Sequence, residues 1–92
     1  YCIGMLTASA EDDLLDPLSW KKERYPVLQS DPLVGIYGPG HNSFTVDEEG
    51  NDVMVYHARI ETEIVGDPLY NPNRHAMLMP VEWKEGRPVF HF

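Results

Sequence analysis

Cysteine and basic side chains are both scarce in this chain of 92 residues. Cys2 is the single cysteine, so no intrachain disulfide can form, and its apolar neighbours Ile3, Met5 and Leu6 predict a buried, unreactive thiol. Lysine and arginine number seven against fifteen acidic residues, which gives a formal net charge of −8. A nucleic-acid partner requires a basic face, so this balance argues against one and is compatible with a neutral sugar or a bound cation.

Long apolar runs and a targeting segment are also missing. No stretch approaches the roughly 18 apolar residues of a membrane span, so we expect no membrane partner. The chain opens with Tyr1-Cys2-Ile3-Gly4, without a basic segment before an apolar one, and therefore shows no signal peptide. The cellular location stays open. No initiator methionine precedes this apparent strand, so we expect the chain to be a piece of something longer.

The residues that are present indicate one small globular unit built from short elements. Apolar residues make up 42% and charged residues 24%, and eight prolines with seven glycines interrupt the chain often. Strand-forming composition predicts strands at residues 1–8, 43–46, 53–58, 74–83 and 88–92, with a further strand region at 18–20 and 25–28. One helical turn is predicted at 12–15, ended by Pro17, and a loop at 29–40.

The clearest local prediction is a β-hairpin around the polar connector 47–52. Its second strand alternates two largely apolar faces, which predicts cover on both sides; the faces are Val53, Val55 and His57 on one and Met54, Tyr56 and Ala58 on the other. His57 is interpreted as structural. The whole pattern is all-β and fits two four-stranded units of roughly 45 residues, the size of a propeller blade. Two blades leave open edges that need a partner.

The most site-like segment is Tyr37-Gly38-Pro39-Gly40-His41-Asn42-Ser43-Phe44. Glycine and proline set an unusual backbone path, and the strand that follows aims His41 as a titratable or metal-binding side chain. The alternative is a histidine satisfied by backbone hydrogen bonds. The clusters Glu11-Asp12-Asp13 and Asp47-Glu48-Glu49 have the form of paired carboxylates, but both fall in predicted turns, so we assign no catalytic residue to this chain.

A family resemblance spans nearly the whole chain. It is carried by Ile3 to Ala8, Leu15-Asp16-Pro17 with Trp20, Ile36 to Phe44, Val53 to Arg59, Gly66 to Tyr70, Asn73-Arg74-His75, and Val81 to Gly86. In these segments the sequence resembles the C-terminal part of glycoside hydrolase family 43 enzymes, close to members described as α-L-arabinofuranosidases or β-xylosidases.

The resemblance implies the last one and a half to two blades of a five-bladed β-propeller, with residues 1–34 in one blade and 35–92 in the next. It implies hydrolysis of arabinose- or xylose-containing glycans such as xylan, with inversion. Inversion requires an acid and a base carboxyl group about 6.5–9.5 Å apart. The family's acid, base and orienting carboxylates are expected upstream of Tyr1, so this chain alone is expected to be inactive.

Two residues acquire roles from the resemblance, and a third is a candidate from its position beside one of them. His41 matches the histidine of the central cavity, where many members hold a calcium or sodium ion. Arg74 matches an arginine at the active-site floor that binds the sugar, and the alternative is a surface arginine at the start of a strand. Tyr37, beside His41, is a candidate substrate-binding ring, although aromatic residues also fill blade cores.

Two readings without catalysis stay open. One is a carbohydrate-binding or assembly module, and the other is an oligomerising β-module that completes its ring with further copies of itself. The expected partners are accordingly the remainder of a propeller, on the same or a separate chain, or a homo-oligomer, together with a pentose-containing glycan.

Overall fold

The computed structural model describes all residues from 1 to 92 and is built from strands and turns. Seven strands follow one another: β1 Leu6–Thr7, β2 Lys21–Lys22, β3 Tyr37–Val46, β4 Asp52–Arg59, β5 His75–Pro80, β6 Glu82–Lys84 and β7 Arg87–Val89. One short 3₁₀ turn occupies Pro17–Ser19. The all-β prediction is confirmed, and no helix is long and apolar enough to cross a membrane.

The centre of the molecule is an antiparallel sheet in the order β3-β4-β5. The predicted hairpin is confirmed as β3 and β4, and its turn is closed by the Asp47 N–H, which donates to the Asn51 carbonyl at 2.9 Å. Two smaller pairs flank this sheet in sequence, β1 with β2 and β6 with β7, and the Ile3–Leu28 bridge extends the first pair. A turn at Glu85-Gly86, where both residues have positive φ, joins β6 and β7.

Strand β3 begins earlier than the sequence predicted. The loop expected to run to residue 40 ends before Tyr37, because the Gly-Pro-Gly segment enters the sheet instead of preceding it. Register shifts between Tyr37 and Gly40 and between Gly40 and Ser43 mark an irregular, bulged start. Gly38 has φ 60° there and His41 has φ 47°, a left-handed conformation that few non-glycine residues adopt.

The prediction for residues 12–20 is wrong in two places. Residues 12–15 form no helical turn. Pro17 begins the 3₁₀ turn instead of ending a helix, since its missing N–H is no loss at a first position and the Asp16 carboxylate accepts from the Leu18 N–H at 2.9 Å. Residues 18–20 are not a strand; the strand forms at charged Lys21–Lys22, through pairing with Leu6–Thr7.

The core is small and centres on one face of β4. Its members are Ile3, Leu28, Met54, Tyr56, Ala58, Met79 and Val81. On the opposite face of β4, Val53, Val55 and His57 are only half-buried. The sequence predicted that both faces of this strand are covered; the structure covers the core face fully and the opposite face only in part. Cys2, predicted to be buried, is exposed, because the bridge at Ile3 turns that residue inward and the alternation of an extended chain turns Cys2 outward.

Much apolar surface stays uncovered. Ten of the 92 residues are buried, and the radius of gyration is 15.4 Å, whereas a compact domain of this length has about 12 Å. Leu15, Leu18, Tyr25, Leu33, Tyr70, Leu78 and Trp83 are among the large apolar side chains that face outward. Exposed apolar surface on this scale is typical of a part that packs against further protein.

Candidate functional site

An open pocket of about 620 Å³ lies at one end of the central sheet. Tyr37 lines it from the start of β3, His57 and Arg59 from the end of β4, and Arg74 from the residue before β5. The remaining lining comes from Tyr1, Ser30, Gly38 and residues of the connection between β4 and β5. Two of the three residues singled out in the sequence, Tyr37 and Arg74, thus share one pocket.

The register of the sheet brings these side chains together. Tyr37 lies opposite Arg59 across β3 and β4, and Ala58 lies opposite His75 across β4 and β5. Residues opposite each other in an antiparallel pair have Cβ atoms about 5 Å apart. Arg59 follows Ala58 along β4, and Arg74 precedes His75 at the start of β5. Tyr37, Arg59 and Arg74 therefore lie at the same end of the sheet.

His41 lies beside this pocket and does not line it. Its ring centroid is 6.1 Å from that of His57, with the two planes tilted by 55°. The Tyr1 ring meets His57 edge-on at 5.3 Å. A Cβ on Gly40 would lie 3.2 Å from the Tyr1 Cβ and 3.3 Å from the His57 Nε2 atom, so a larger residue here would push the Tyr1 and His57 side chains outward by a few tenths of an ångström.

His57 has an unusual environment for a histidine. Its Nε2 atom is buried without a hydrogen-bond partner. Burial lowers the pKa of His57 below its ordinary value of 6.5, and the positive charges of Arg74 and His41 lower it further. The neutral imidazole is therefore favoured. The sequence indicated a structural role for this residue and missed its place in the pocket; its position opposite Gly40 was the signal, visible only once the register is known.

The residues near His41 can offer a cation few ligands. No group of three or more histidine, cysteine, aspartate or glutamate side chains is arranged to hold a metal ion. His41 is exposed and can give one imidazole nitrogen, and the unpartnered Nε2 atom of His57 lies in the neighbouring ring. Calcium and sodium are hard cations that prefer oxygen. An ion here would take most of its ligands from water or from other protein groups.

Arg59 was not singled out in the sequence, yet it organises one side of the pocket. Its Nη1 atom donates to the Asn71 Oδ1 atom at 2.7 Å, and its Nη2 atom donates to the Pro68 carbonyl at 3.2 Å. A strand that ends in arginine before a proline-containing connection was the available signal. The guanidinium thereby ties the connection between β4 and β5 to the end of β4.

The two pocket arginines have no carboxylate partner within the chain. The ion pairs of the structure join Arg87 to Glu23 and His91 to Glu82. Glu61 and Asp67 line the pocket but form no ion pair with either guanidinium. Free guanidinium N–H groups can bind hydroxyl groups and can lower the pKa of a carboxyl group placed beside them.

The acidic clusters lie away from this pocket, in exposed turns. The Asp47 carboxylate accepts hydrogen bonds from the backbone N–H groups of Glu49 and Asn51, at 2.9 and 2.8 Å. These bonds, led by the one from Asn51, lower the pKa of Asp47. Asp13 likewise accepts from the Leu15 N–H at 3.0 Å. Both clusters therefore stabilise turns.

Comparison with known proteins shows what this chain is similar to. The family model "Glycosyl hydrolases family 43" matches residues 1–88. The chain is 52% identical to an extracellular exo-α-(1→5)-L-arabinofuranosidase of Streptomyces avermitilis and 45% identical to α-L-arabinofuranosidase 43 of Humicola insolens. Each alignment covers 98% of this chain and 19% of the relative, so the chain spans about a fifth of the length of these relatives.

A solved structure gives the same result for the fold. The crystal structure of an α-L-arabinofuranosidase from Lactobacillus brevis superposes with a TM-score of 0.94 at 54% identity, over 99% of this chain and 29% of the other. This likeness is consistent with part of a β-propeller, as the sequence predicted. With a family model over 88 of the 92 residues, the chain belongs to glycosyl hydrolases family 43.

Proposed function

We propose that this chain is part of an inverting glycoside hydrolase that removes arabinose from arabinose-containing glycans. Membership of family 43 supports hydrolysis of a glycosidic bond. The sequence pointed to arabinose or xylose, and the names of the relatives favour arabinose. The observation that carries the proposal is the shared pocket of Tyr37 and Arg74, with a guanidinium that has no ion-pair partner in the chain.

In this proposal Arg74 binds the sugar and supports a carboxylate. Its planar guanidinium offers several N–H donors at fixed angles, which suits neighbouring hydroxyl groups. It also lowers the pKa of an adjacent carboxyl group and so keeps a general base ionised. Tyr37 offers a half-buried ring that packs against the apolar side of the sugar. This chain's own contribution is binding and orientation.

The acid and base carboxylates come from other parts of the protein. The two acidic clusters stabilise exposed turns, and the pocket arginines stand without carboxylate partners. Exposed apolar side chains supply a surface against which further blades can pack. The remainder of the propeller is therefore the proposed partner. Residues 1–92 alone are expected to release no arabinose from arabino-oligosaccharides, and measurable turnover by this piece would contradict the assignment.

The test is the kinetics of Arg74→Ala in the complete protein, with arabino-oligosaccharides as substrates. Removing one donor that stabilises charge in a transition state costs roughly 10²–10³-fold in rate, and we expect a loss of kcat/KM of that order with the melting temperature preserved. Arg24→Ala is the matched control, because Arg24 lies against the exposed Tyr25 ring, outside the pocket. Near-normal kinetics for Arg74→Ala would remove it from the site.

A calcium or sodium ion at His41 is a separate proposal. The exposed imidazole of His41 and the unpartnered nitrogen of the adjacent His57 support it, with water completing the ligands. A bound cation would add positive potential beside the sugar pocket. Metal analysis of the complete protein, before and after chelation, tests it against His41→Ala. We expect a bound ion whose removal lowers the melting temperature of the wild type and leaves that of the variant unchanged.

A further inference from the structure

Two side chains, Asn71 and its partner Arg59, hold the connection between β4 and β5 in place. Residues 60–70, here called the rim segment, form no strand or helix and are exposed throughout. Asn71, which follows, is buried. The hydrogen bonds inside the rim segment are few and local. The Asp67 carbonyl accepts from the N–H groups of Tyr70 and Asn71, and the Asp67 carboxylate accepts from the Leu69 N–H. Its position therefore depends on Asn71 and Arg59.

Both ends of the Asn71 amide form hydrogen bonds. The Oδ1 atom accepts from the Arg59 Nη1 atom at 2.7 Å and from the Asn73 N–H at 2.9 Å, and the Nδ2 atom donates to the Val65 carbonyl at 3.2 Å. Arg59 also donates to the Pro68 carbonyl. These bonds fix the rim segment at two points and tie it to the end of β4.

The rim segment forms one side of the sugar pocket. It supplies a set of lining residues, namely Glu61, Thr62, Ile64, Asp67, Pro68 and Leu69. The facing side consists of Tyr37, His57 and Arg74, which are half-buried, whereas the rim residues are exposed. If the half-buried side binds the first sugar, as in the proposed function, the exposed side is left for the next sugar of the glycan.

We propose that Asn71 is a positioning residue that sets the rim segment and thereby the binding of the glycan beyond the first sugar. The inference rests on the proposed function and deepens it. The rim presents hydrogen-bonding groups at Glu61, Thr62 and Asp67 and apolar groups at Ile64 and Leu69, which suits a neutral oligosaccharide with polar edges and apolar faces. Substrates without a second sugar do not depend on it.

The test compares two substrates on the complete protein. For Asn71→Ala we expect a rise of about tenfold in KM for arabinotriose. The variant loses the hydrogen bond between Asn71 and the charged Arg59, and the binding of the glycan must then supply the free energy that orders the rim segment. We expect kcat to change less than about twofold, since binding is affected and the chemical step is not. With 4-nitrophenyl arabinofuranoside, which lacks the second sugar, kcat/KM should stay within about twofold of the wild type.

Two further variants separate positioning from general stability. Asn73→Ala is the matched control, because Asn73 takes part through its backbone N–H and its side chain makes no hydrogen bond. Asn71→Asp keeps the acceptor for Arg59 and Asn73 but replaces the donor to Val65 with a carboxylate oxygen that faces the Val65 carbonyl, so it should recover only the part of the affinity for arabinotriose that depends on Arg59.

Hydrogen exchange gives a readout that does not depend on turnover. In Asn71→Ala the amides of Leu69 and Tyr70, which are hydrogen-bonded to Asp67, should exchange faster, while those of β4 stay as protected as in the wild type. Equal losses on both substrates, an unchanged exchange pattern, or the same effect from Asn73→Ala would overturn the inference. Wild-type protein that cleaves neither substrate would instead overturn the proposed function, and the exchange experiment would still test whether Asn71 positions the segment.

Discussion

The two faces of β4 differ more than their sequences suggest. Met54, Tyr56 and Ala58 are 0%, 4% and 0% exposed and form the centre of the core. Val53, Val55 and His57, one residue out of step, are half-buried, and His57 lines the pocket. Strand alternation thus places the core on one face and a half-buried, pocket-lining face on the other along eight residues. The effect of a substitution in β4 on the free energy of unfolding should depend more on which face the residue occupies than on which residue replaces it.

The largest expected effect on the sugar chemistry lies at the pocket end of this sheet. The Arg74→Ala substitution described above should lower kcat/KM by roughly 10²–10³-fold and spare folding, because Arg74 precedes β5 and is absent from the core. If Arg74→Ala instead unfolded the protein, the pocket end of the sheet would contribute to stability as the core face does, and the two roles would not be separate. Thermal melting measured beside the kinetics decides between these outcomes.

On the core face, the largest expected effect is on stability. Met54→Ala empties a fully buried site that pairs with Met79, and a methionine-to-alanine change of this kind costs about 2–5 kcal/mol. Val53→Ala, one residue away on the half-buried face, is the matched control and should cost distinctly less free energy of unfolding. Denaturant unfolding of the complete protein measures both, and equal losses would show that the faces are equally packed.

His57→Ala should give the reverse pattern to Met54→Ala. The Nε2 atom has no hydrogen-bond partner, so its removal leaves no protein group unsatisfied. We expect a loss of stability below that of Met54→Ala together with a clear loss of kcat/KM, since the ring lines the pocket between Tyr1 and His41. Unchanged kinetics with a large loss of stability would return His57 to the structural role that the sequence suggested.

The smallest effect is expected outside both faces, in the turn that joins β3 and β4. Backbone hydrogen bonds lower the pKa of Asp47, so its carboxylate favours the folded state above the ordinary pKa of 3.8, and that contribution is lost as the pH falls through the lowered value. Asp47→Ala should flatten the acid end of the stability curve slightly, with activity unchanged. Glu48→Ala, at the next position of the turn, is the control.

The sequence predicted what depends on local pattern. Alternation in 53–58 and the polar connector 47–52 specify a hairpin because both signals lie within a few residues. Strand β2 could not be predicted, since Lys21–Lys22 becomes a strand only by pairing with β1. The resemblance to family 43 singled out Arg74, and the place beside His41 singled out Tyr37; their shared pocket follows from the register of the β3-β4-β5 sheet.

The part of the site that escaped prediction depends on tertiary contacts. Arg59 and Asn71 are twelve residues apart, and their hydrogen bond exists only because the rim segment folds back on β4. The isolated nitrogen of His57 likewise depends on Gly40 across the hairpin. Neither signal is periodic in the sequence, so hydrophobic pattern and turn chemistry alone do not reveal them.

The most direct test of the account is a crystal structure of the complete protein with bound arabinose. The account predicts the sugar in the pocket at the end of the β3-β4-β5 sheet, with a guanidinium nitrogen of Arg74 within about 3 Å of a sugar hydroxyl and the Tyr37 ring against the sugar. An arabinose bound at another surface, with both side chains free of contact, would contradict it.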